Sequence, residues 1–327
     1  MQNVNKKLYD IPTNLITGFL GVGKTSAILH FMTQKPDNEK WSVLVNEFGS
    51  IGIDGAIYKT KGIQVKEIPG GCMCCAAGVP LQVAINRIMA ETKPQRLLIE
   101  PSGLGHPKRV IDTLRGQYFK KALMLKATIC LLDPRNLLKE RYRTHENFID
   151  QIALADILVA NKSDLCDTET LNNFDHYAST LQPTKQQIIK TQFGQLNASI
   201  LDHNPSAFRE ARFPLFHEPD NSKTIPSTVP KRDGYYSEGW RFPKNQIFDL
   251  DKLQHFLSQF ENARIKAIMH TNKGWMIFNT QDNQRDITPT KPSTDSRIEI
   301  ISHDINNLNK KSTAEQIKYC LTYSTST

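Results

Sequence analysis

Residues 18–25 read GFLGVGKT, a complete GxxxxGKT phosphate loop. It sits between the apolar run Asn14-Leu15-Ile16 and a helical pattern carrying Ala27, Ile28, Leu29 and Phe31. This order dictates a buried strand, a tight glycine turn and a helix whose positive end faces the turn. Gly18, Gly21 and Gly23 lack a Cβ, so the chain can curl with its N–H groups pointing inward at phosphate oxygens. Lys24 is then placed to reach the β and γ phosphates, and the Thr25 hydroxyl to ligate magnesium. A nucleoside triphosphate with Mg2+ is the ligand this stretch implies.

The rest of the first two hundred residues repeats the alternation of apolar β-type runs and helical segments. Runs 11–17, 41–46, 96–100, 127–133 and 157–161 read as buried parallel strands, and 26–33, 79–91, 107–113 and 148–154 as helices. The fold class expected is α/β: a doubly wound P-loop sheet with ligand sites at the carboxyl ends of its strands. Residues 217–234, HEPDNSKTIPSTVPKRDG, are polar, rich in Pro and Ser and without a hydrophobic period. A smaller α+β region follows, with a strand around Trp240, a helix over 250–260, a hairpin made of ARIKAIMH and WMIFN joined at TNKG, a strand over 297–301 and a last helix over 314–320. The expected division is a P-loop domain over 1–205, a linker over 206–235 and a C-terminal α+β domain over 236–327.

The base is legible downstream. Residues 161–164 read NKSD directly after the apolar run DILVA. The Asp164 carboxylate can accept hydrogen bonds from N1 and N2 of guanine, whereas adenine offers no such donor pair. Asn161 and Lys162 would support the base edge and its stacking face. GTP and GDP are therefore the expected ligands, and an ATP-using small-molecule kinase is disfavoured. Glu100 ends the strand RLLIE and is followed by PSGLGHP. There it could hold magnesium through water or orient the attacking water, with Gly103 placed as a switch glycine against the γ phosphate. Asn46-Glu47-Phe48-Gly49, with Asp54 shortly after, is the other candidate switch. Asp133, at the end of its run before Pro134, reads as a cap of the following turn.

Between the two switches, residues 70–75 read GGCMCC. Cys72, Cys74 and Cys75 crowd three thiols into four residues, a soft-metal arrangement suited to zinc or Cu(I), with cobalt and nickel as further candidates. A redox pair, or a set of buried apolar cysteines, is the competing reading of the same residues. His106 is the histidine placed to add a fourth ligand. Cys130 reads as core, and Cys166 and Cys320 stand alone.

Charge and composition exclude other classes. The net charge of +8 is spread evenly, with 24 Lys+Arg against 19 Asp+Glu in residues 1–205 and 17 against 14 beyond. No dense basic block interleaved with aromatics marks a specific nucleic-acid footprint. The N-terminal residues lack an apolar signal region, and no run approaches the ~20 apolar residues of a membrane span. A cytoplasmic protein with reduced thiols is the expectation. A homodimer is compatible with the sequence.

In this order, GFLGVGKTS, NEFG followed by GID, GGCMCC, IEPSGLGHP and NKSD resemble the CobW-type GTPases, relatives of the UreG and HypB metal-insertion proteins. The resemblance covers about the first two hundred residues, CxCC being its most distinctive element, and extends less sharply to the segment from about 236 onward. It implies a GTPase that carries a transition metal, zinc first and cobalt second, to a client metalloprotein, with slow intrinsic hydrolysis. By position it assigns phosphates and magnesium to Gly21, Gly23, Lys24, Thr25 and Ser26, the second switch to Glu100 and Gly103, guanine to Asn161, Lys162 and Asp164, and metal to Cys72, Cys74 and Cys75. Two departures stand out. The acidic residue common in that family just after NEFG is here Ser50, and the His-rich tract before the C-terminal domain is reduced to His217.

Overall fold

The computed structural model describes residues 10–45, 57–58, 63, 65–67, 79–103, 107–206, 209–210, 231–232, 235–260, 263–281, 284–302 and 310–322. They fall into two compact units, the first within Met1–Asn46 and Ile63–Leu215, the second within Glu47–Gly62 and Phe216–Thr327.

The first unit is a parallel sheet wrapped by helices. Its strands are β1 (Ile11–Thr17), β2 (Trp41–Val45), β3 (Val65–Glu67), β4 (Arg96–Glu100), β5 (Leu123–Leu125), β6 (Ile129–Leu132), β7 (Ile157–Ala160) and β8 (Gln187–Lys190). They lie in the order β3-β2-β4-β1-β6-β7-β8, with β5 paired to β1. Every pairing is parallel. Strand β1 is central because it is apolar on both faces; Leu15 and Ile16 are both buried. The helices are α1 (Lys24–Thr33), α2 (Val79–Thr92), α3 (Pro107–Arg115), α4 (Glu140–Arg143), α5 (Glu146–Leu154) and α6 (Thr168–Thr180). On one face Leu81, Ile85 and Ile88 of α2 and Val110 and Leu114 of α3 close over Leu15, Leu44, Leu97 and Ile99. Full burial of each such side chain contributes roughly 1.5–3 kcal/mol before chain entropy is charged against it. Because the chain runs outward from β1 in both directions, a crevice opens at the carboxyl ends of the strands.

The strand expected over 127–133 is present as β6, and a short strand the sequence did not announce, β5, precedes it at Leu123–Leu125. Strand β5 pairs with Ile11–Thr13 of β1 and β6 with Ile16 and Thr17. Between them the Ala127 N–H turns to His203 O (2.8 Å), and its carbonyl accepts from Asn14 Nδ2 (3.2 Å). Helix α5 starts two residues before the expected 148 and is held at its C-terminus by Lys185, whose buried ammonium donates to the carbonyls of Ile152, Ala153 and Ala155. Such a cation completes the carbonyls a helix end leaves open.

The second unit is an antiparallel sheet in the order β13-β12-β11-β14-β10-β9. Its strands are β9 (Lys231–Arg232), β10 (Tyr235–Pro243), β11 (Arg264–Thr271), β12 (Gly274–Gln281), β13 (Gln284–Pro289) and β14 (Asp295–Ser302), with helices α7 (Leu250–Leu257) and α8 (Lys310–Tyr319). The hairpin β11–β12 turns at Thr271–Gly274 as its sequence predicts, with the Thr271 hydroxyl donating to Gly274 O at 2.7 Å. Helix α7 starts at the Asp249 cap, whose carboxylate accepts from Lys252 N at 3.0 Å. Its Leu250, Leu253, Phe256 and Leu257 pack with Ile265, Ala267, Phe278, Ile298 and Ile317 into a separate core. Among the described residues no helix is long and apolar enough to cross a membrane.

Candidate nucleotide site

Strand β1 delivers the chain into the phosphate loop. Gly18 has φ 137°, and a Cβ there would stand 2.2 Å from Leu131 O on the neighbouring strand β6. At the other end Gly23, φ 98°, is the N-cap of α1, and a Cβ on it would stand 2.3 Å from Asn161 Nδ2. The loop is therefore wedged between β6 and the chain leaving β7, at a separation only glycine permits. Lys24 is 5% exposed, and its ammonium donates to Gly18 O at 2.9 Å and Phe19 O at 3.0 Å, folding back across the loop. Phe19 packs edge-on against Tyr142 (5.4 Å), His145 (4.8 Å) and Phe148 (6.0 Å), which supports the loop from α4 and α5.

The carboxyl end of β4 faces the start of α1. Thr25 Oγ1 donates to Glu100 Oε1 at 3.1 Å, and Glu100 is 3% exposed. This hydroxyl–carboxylate pair, beside a helix N-terminus and a cradle of glycine N–H groups, has the hard-oxygen donor chemistry that fits magnesium. Three residues on, Gly103 lies against the loop, where a Cβ would come within 2.8 Å of Leu20 N. Its carbonyl accepts from Gln151 Nε2 at 2.8 Å, which ties this segment to α5. Ser26 is exposed on the first turn of α1.

The segment expected to read the base follows β7. Asn161 is 2% exposed; its Nδ2 donates to Val22 O at 2.8 Å and its Oδ1 accepts from Gly194 N at 3.0 Å. Its side chain thus supports the site by tying three loops together. Lys162 adopts a left-handed conformation, φ 61°, and its ammonium lies 3.6 Å from Asp133 Oδ2. Asp133 caps the 3-10 helix Pro134–Leu138 by accepting from Arg135 N at 3.1 Å, as expected, and also pairs with the Arg135 guanidinium at 2.6 Å. Asp164 stands exposed in the 3-10 turn Ser163–Leu165. The sequence reading missed Gln151 and Gly194, since each contact joins positions far apart in the chain and no local pattern announces it.

Of the remaining sequence expectations, Asp54, Asn46, Glu47, Phe48, Gly49, Ser50, Cys72, Cys74, Cys75, His106 and His217 lie outside the described residues. Among the described residues no group of three or more His, Cys, Asp or Glu side chains gathers as a metal site. Cys130, on β6, is core, and burial pushes its thiol up to about 12. It therefore carries much less thiolate at pH 8 than an exposed cysteine, and thiolate is the nucleophile. Iodoacetamide at pH 8 should leave Cys130 unmodified in the folded protein and label it fully in urea, as read by peptide mass spectrometry. Native labelling at the rate of a free thiol would contradict its placement.

A strand, a glycine cradle and a helix in a doubly wound parallel sheet, with a carboxylate on the helix's first threonine, define a P-loop nucleotide-binding domain. The chain belongs to the CobW/HypB/UreG family of P-loop GTPases: that family's nucleotide-binding domain matches residues 12–189. It is 40% identical over 304 residues to "Zinc chaperone YeiR" of Escherichia coli (strain K12), covering 89% of this chain and 92% of the relative. It is 29% identical over 227 residues to "Zinc chaperone CobW" of Pseudomonas aeruginosa, covering 60% of each. The crystal structure of Zn(II)-bound YjiA GTPase from E. coli aligns over 95% of this chain and 99% of that one, with 14% identity and a TM-score of 0.41.

Proposed function

We propose that the protein is a GTP-hydrolysing zinc metallochaperone, which binds the metal at Cys72, Cys74 and Cys75 and delivers it to a client metalloprotein. The observation that carries the hydrolytic half is the Thr25–Glu100 pair at the foot of the phosphate loop, with Gly103 against Leu20. The metal half rests on the spacing of the three thiols and on relatives that bear the name zinc chaperone.

On GTP binding the Lys24 ammonium exchanges the Gly18 and Phe19 carbonyls for β- and γ-phosphate oxygens, and α1 presents its first-turn N–H groups to the same phosphates. Thr25 would hold magnesium directly and Glu100 through water; magnesium, when bound, neutralises charge on the β and γ oxygens. Glu100 also orients the attacking water, and Gly103 meets the γ phosphate. Asp164 accepts from guanine N1 and N2, while Lys162 lies along the base. The segments around Asn46, with Asp54, and around Gly103 order with the γ phosphate and relax after hydrolysis, which times metal release from the cysteines between them. In this reading residues 1–205 carry the cycle and 236–327 the C-terminal domain, whose sheet also takes in β9 and Tyr235 from the 206–235 stretch expected as linker.

The test uses two variants of the full chain. In Glu100→Gln the GTP turnover should fall about 100-fold or more while GDP affinity stays within about threefold, the pattern of a group acting in the transition state. In Cys74→Ala zinc binding measured against a competing chelator should be lost. Full turnover in the first, or unchanged zinc affinity in the second, would reject the corresponding half.

A further inference from the structure

Helix α5 buries a polar face where packing alone calls for an apolar one. Asn147, Asp150 and Gln151 are each 1% exposed or less, and their spacing of three and four residues puts them on one side of the helix. Burying such groups costs free energy that an apolar side chain of similar size would not incur. For Gln151 the structure shows what the amide does there. Its Nε2 donates to Gly103 O at 2.8 Å, joining positions 48 residues apart. That bond closes a short tether. Glu100 ends β4, paired with Val45 of β2, and its carboxylate accepts from Thr25 Oγ1. Pro101 follows with its fixed φ, and Gly103 comes two residues later. The stretch from Glu100 to Gly103 is therefore held at both ends, by the sheet at one and by α5 at the other. Gly103 is seated so closely on the phosphate loop that a Cβ would stand 2.8 Å from Leu20 N and 2.9 Å from Leu20 Cδ2. The same helix supports the other side of that contact, since Phe148 packs against Phe19 with 6.0 Å between ring centroids. One element thus sets both the loop and the glycine that lies on it.

We propose that Gln151 is a positioning residue for GTP hydrolysis: its hold on the Gly103 carbonyl seats the segment after Glu100 against the phosphate loop, with Gly103 where the γ phosphate arrives. This rests on the reading of Glu100 and Gly103 given above and adds to it a residue outside every motif of the site. Gln151 touches neither nucleotide nor magnesium and acts through Gly103. The bond keeps Gly103 in place before the nucleotide binds, so the ordering driven by the γ phosphate starts from a fixed point. GDP has no γ phosphate, so the bond bears on GTP affinity and turnover and leaves GDP binding alone. A displacement of about 1 Å in such a segment is enough to cost on the order of 100-fold in rate.

The experiment compares Gln151→Met, which keeps the volume but cannot donate, with Gln151→Asn, whose amide is one methylene too short to reach Gly103 O, and with Gly103→Ala, all in the full chain. The readouts are GTP turnover at saturation, calorimetric affinity for GDP and for a non-hydrolysable GTP analogue, and thermal unfolding without nucleotide. Both Gln151 variants should lose about 10- to 100-fold in turnover and about 10-fold in analogue affinity, with GDP affinity within about twofold of the parent. A split between the two nucleotides is an outcome a merely structural role does not produce, whatever the change in Tm. Turnover within about twofold of the parent in both Gln151 variants, with turnover abolished in Gly103→Ala, would overturn the role of Gln151 alone. Equal loss of GDP and analogue affinity would also overturn it, since the whole site would then be disturbed. Parent-like turnover in Gly103→Ala would instead reject the underlying reading of Gly103, and the inference with it.

Discussion

Asn161→Ala should unfold the site as well as weaken it, lowering stability by about 3 kcal/mol and guanine-nucleotide affinity by more than about 100-fold. The Asn161 side chain donates to Val22 O and accepts from Gly194 N, at 2.8 and 3.0 Å, in a position 2% exposed. Truncation leaves a buried carbonyl and a buried N–H without their partner, each costing about 1–3 kcal/mol. One orphaned group, Val22 O, belongs to the phosphate loop and the other, Gly194 N, to the loop packed on α1, so in the proposed site the loss falls on binding as well as on folding. Urea denaturation gives the first quantity and calorimetric titration with GDP the second. Asn161→Asp separates the two bonds, because a carboxylate still accepts from Gly194 N–H but cannot donate to Val22 O; it should be at least as damaging, since it also buries a charge. A stability loss below about 1 kcal/mol in Asn161→Ala would show that the two bonds do not hold the loops.

Gly18→Ala is expected to cost about 4 kcal/mol or more and to abolish GTP turnover, the range reserved for backbone strain compounded by a core clash. The new methyl would stand 2.2 Å from Leu131 O and 2.9 Å from Val22 Cγ2, with φ at 137°. Leu131 belongs to the central strand β6, so its carbonyl cannot step aside without breaking the ladder to β7. Gly274→Ala is the control that separates strain from collision. Gly274 also has positive φ, 96°, but a Cβ there meets nothing within 4 Å. Only the conformational penalty remains, about 1 kcal/mol. Equal unfolding free energies for the two variants would mean that the contact with Leu131 is not restrictive.

Both substitutions fall where the sequence was most readable, and the reasons are physical. Gly18, Gly23 and Lys24 announce a phosphate loop because the turn tolerates few other residues, and Glu100 at the end of RLLIE is visible because a carboxylate rarely closes a buried strand without a partner. The antiparallel C-terminal sheet was partly legible from the TNKG hairpin. Strand β8 escaped notice because QIIK is largely exposed, so no apolar period distinguishes it from a loop. Helix α6 buries only Thr170, Phe174 and Ala178, too thin a stripe to detect, although Asp167 accepting from Thr170 N is a cap the sequence does spell. Strand β13 reads QRDITP, polar and ending in proline, as sheet edges do. The part Asn161 plays is hidden for a different reason: NKSD suggests a contact with the base, whereas its bonds to Val22 and Gly194 depend on loops 139 and 33 residues away.

The claim that GTP times a zinc cargo is tested most directly by one titration. Purified, reduced full-length protein is titrated with zinc against a competing chelator, once with GDP and once with a non-hydrolysable GTP analogue plus magnesium. The account predicts zinc affinities that differ at least about tenfold between the two states, a coupling of ~1.4 kcal/mol, with zinc shifting analogue affinity by the same factor. Equal zinc affinity in both states, or none in either, would contradict it.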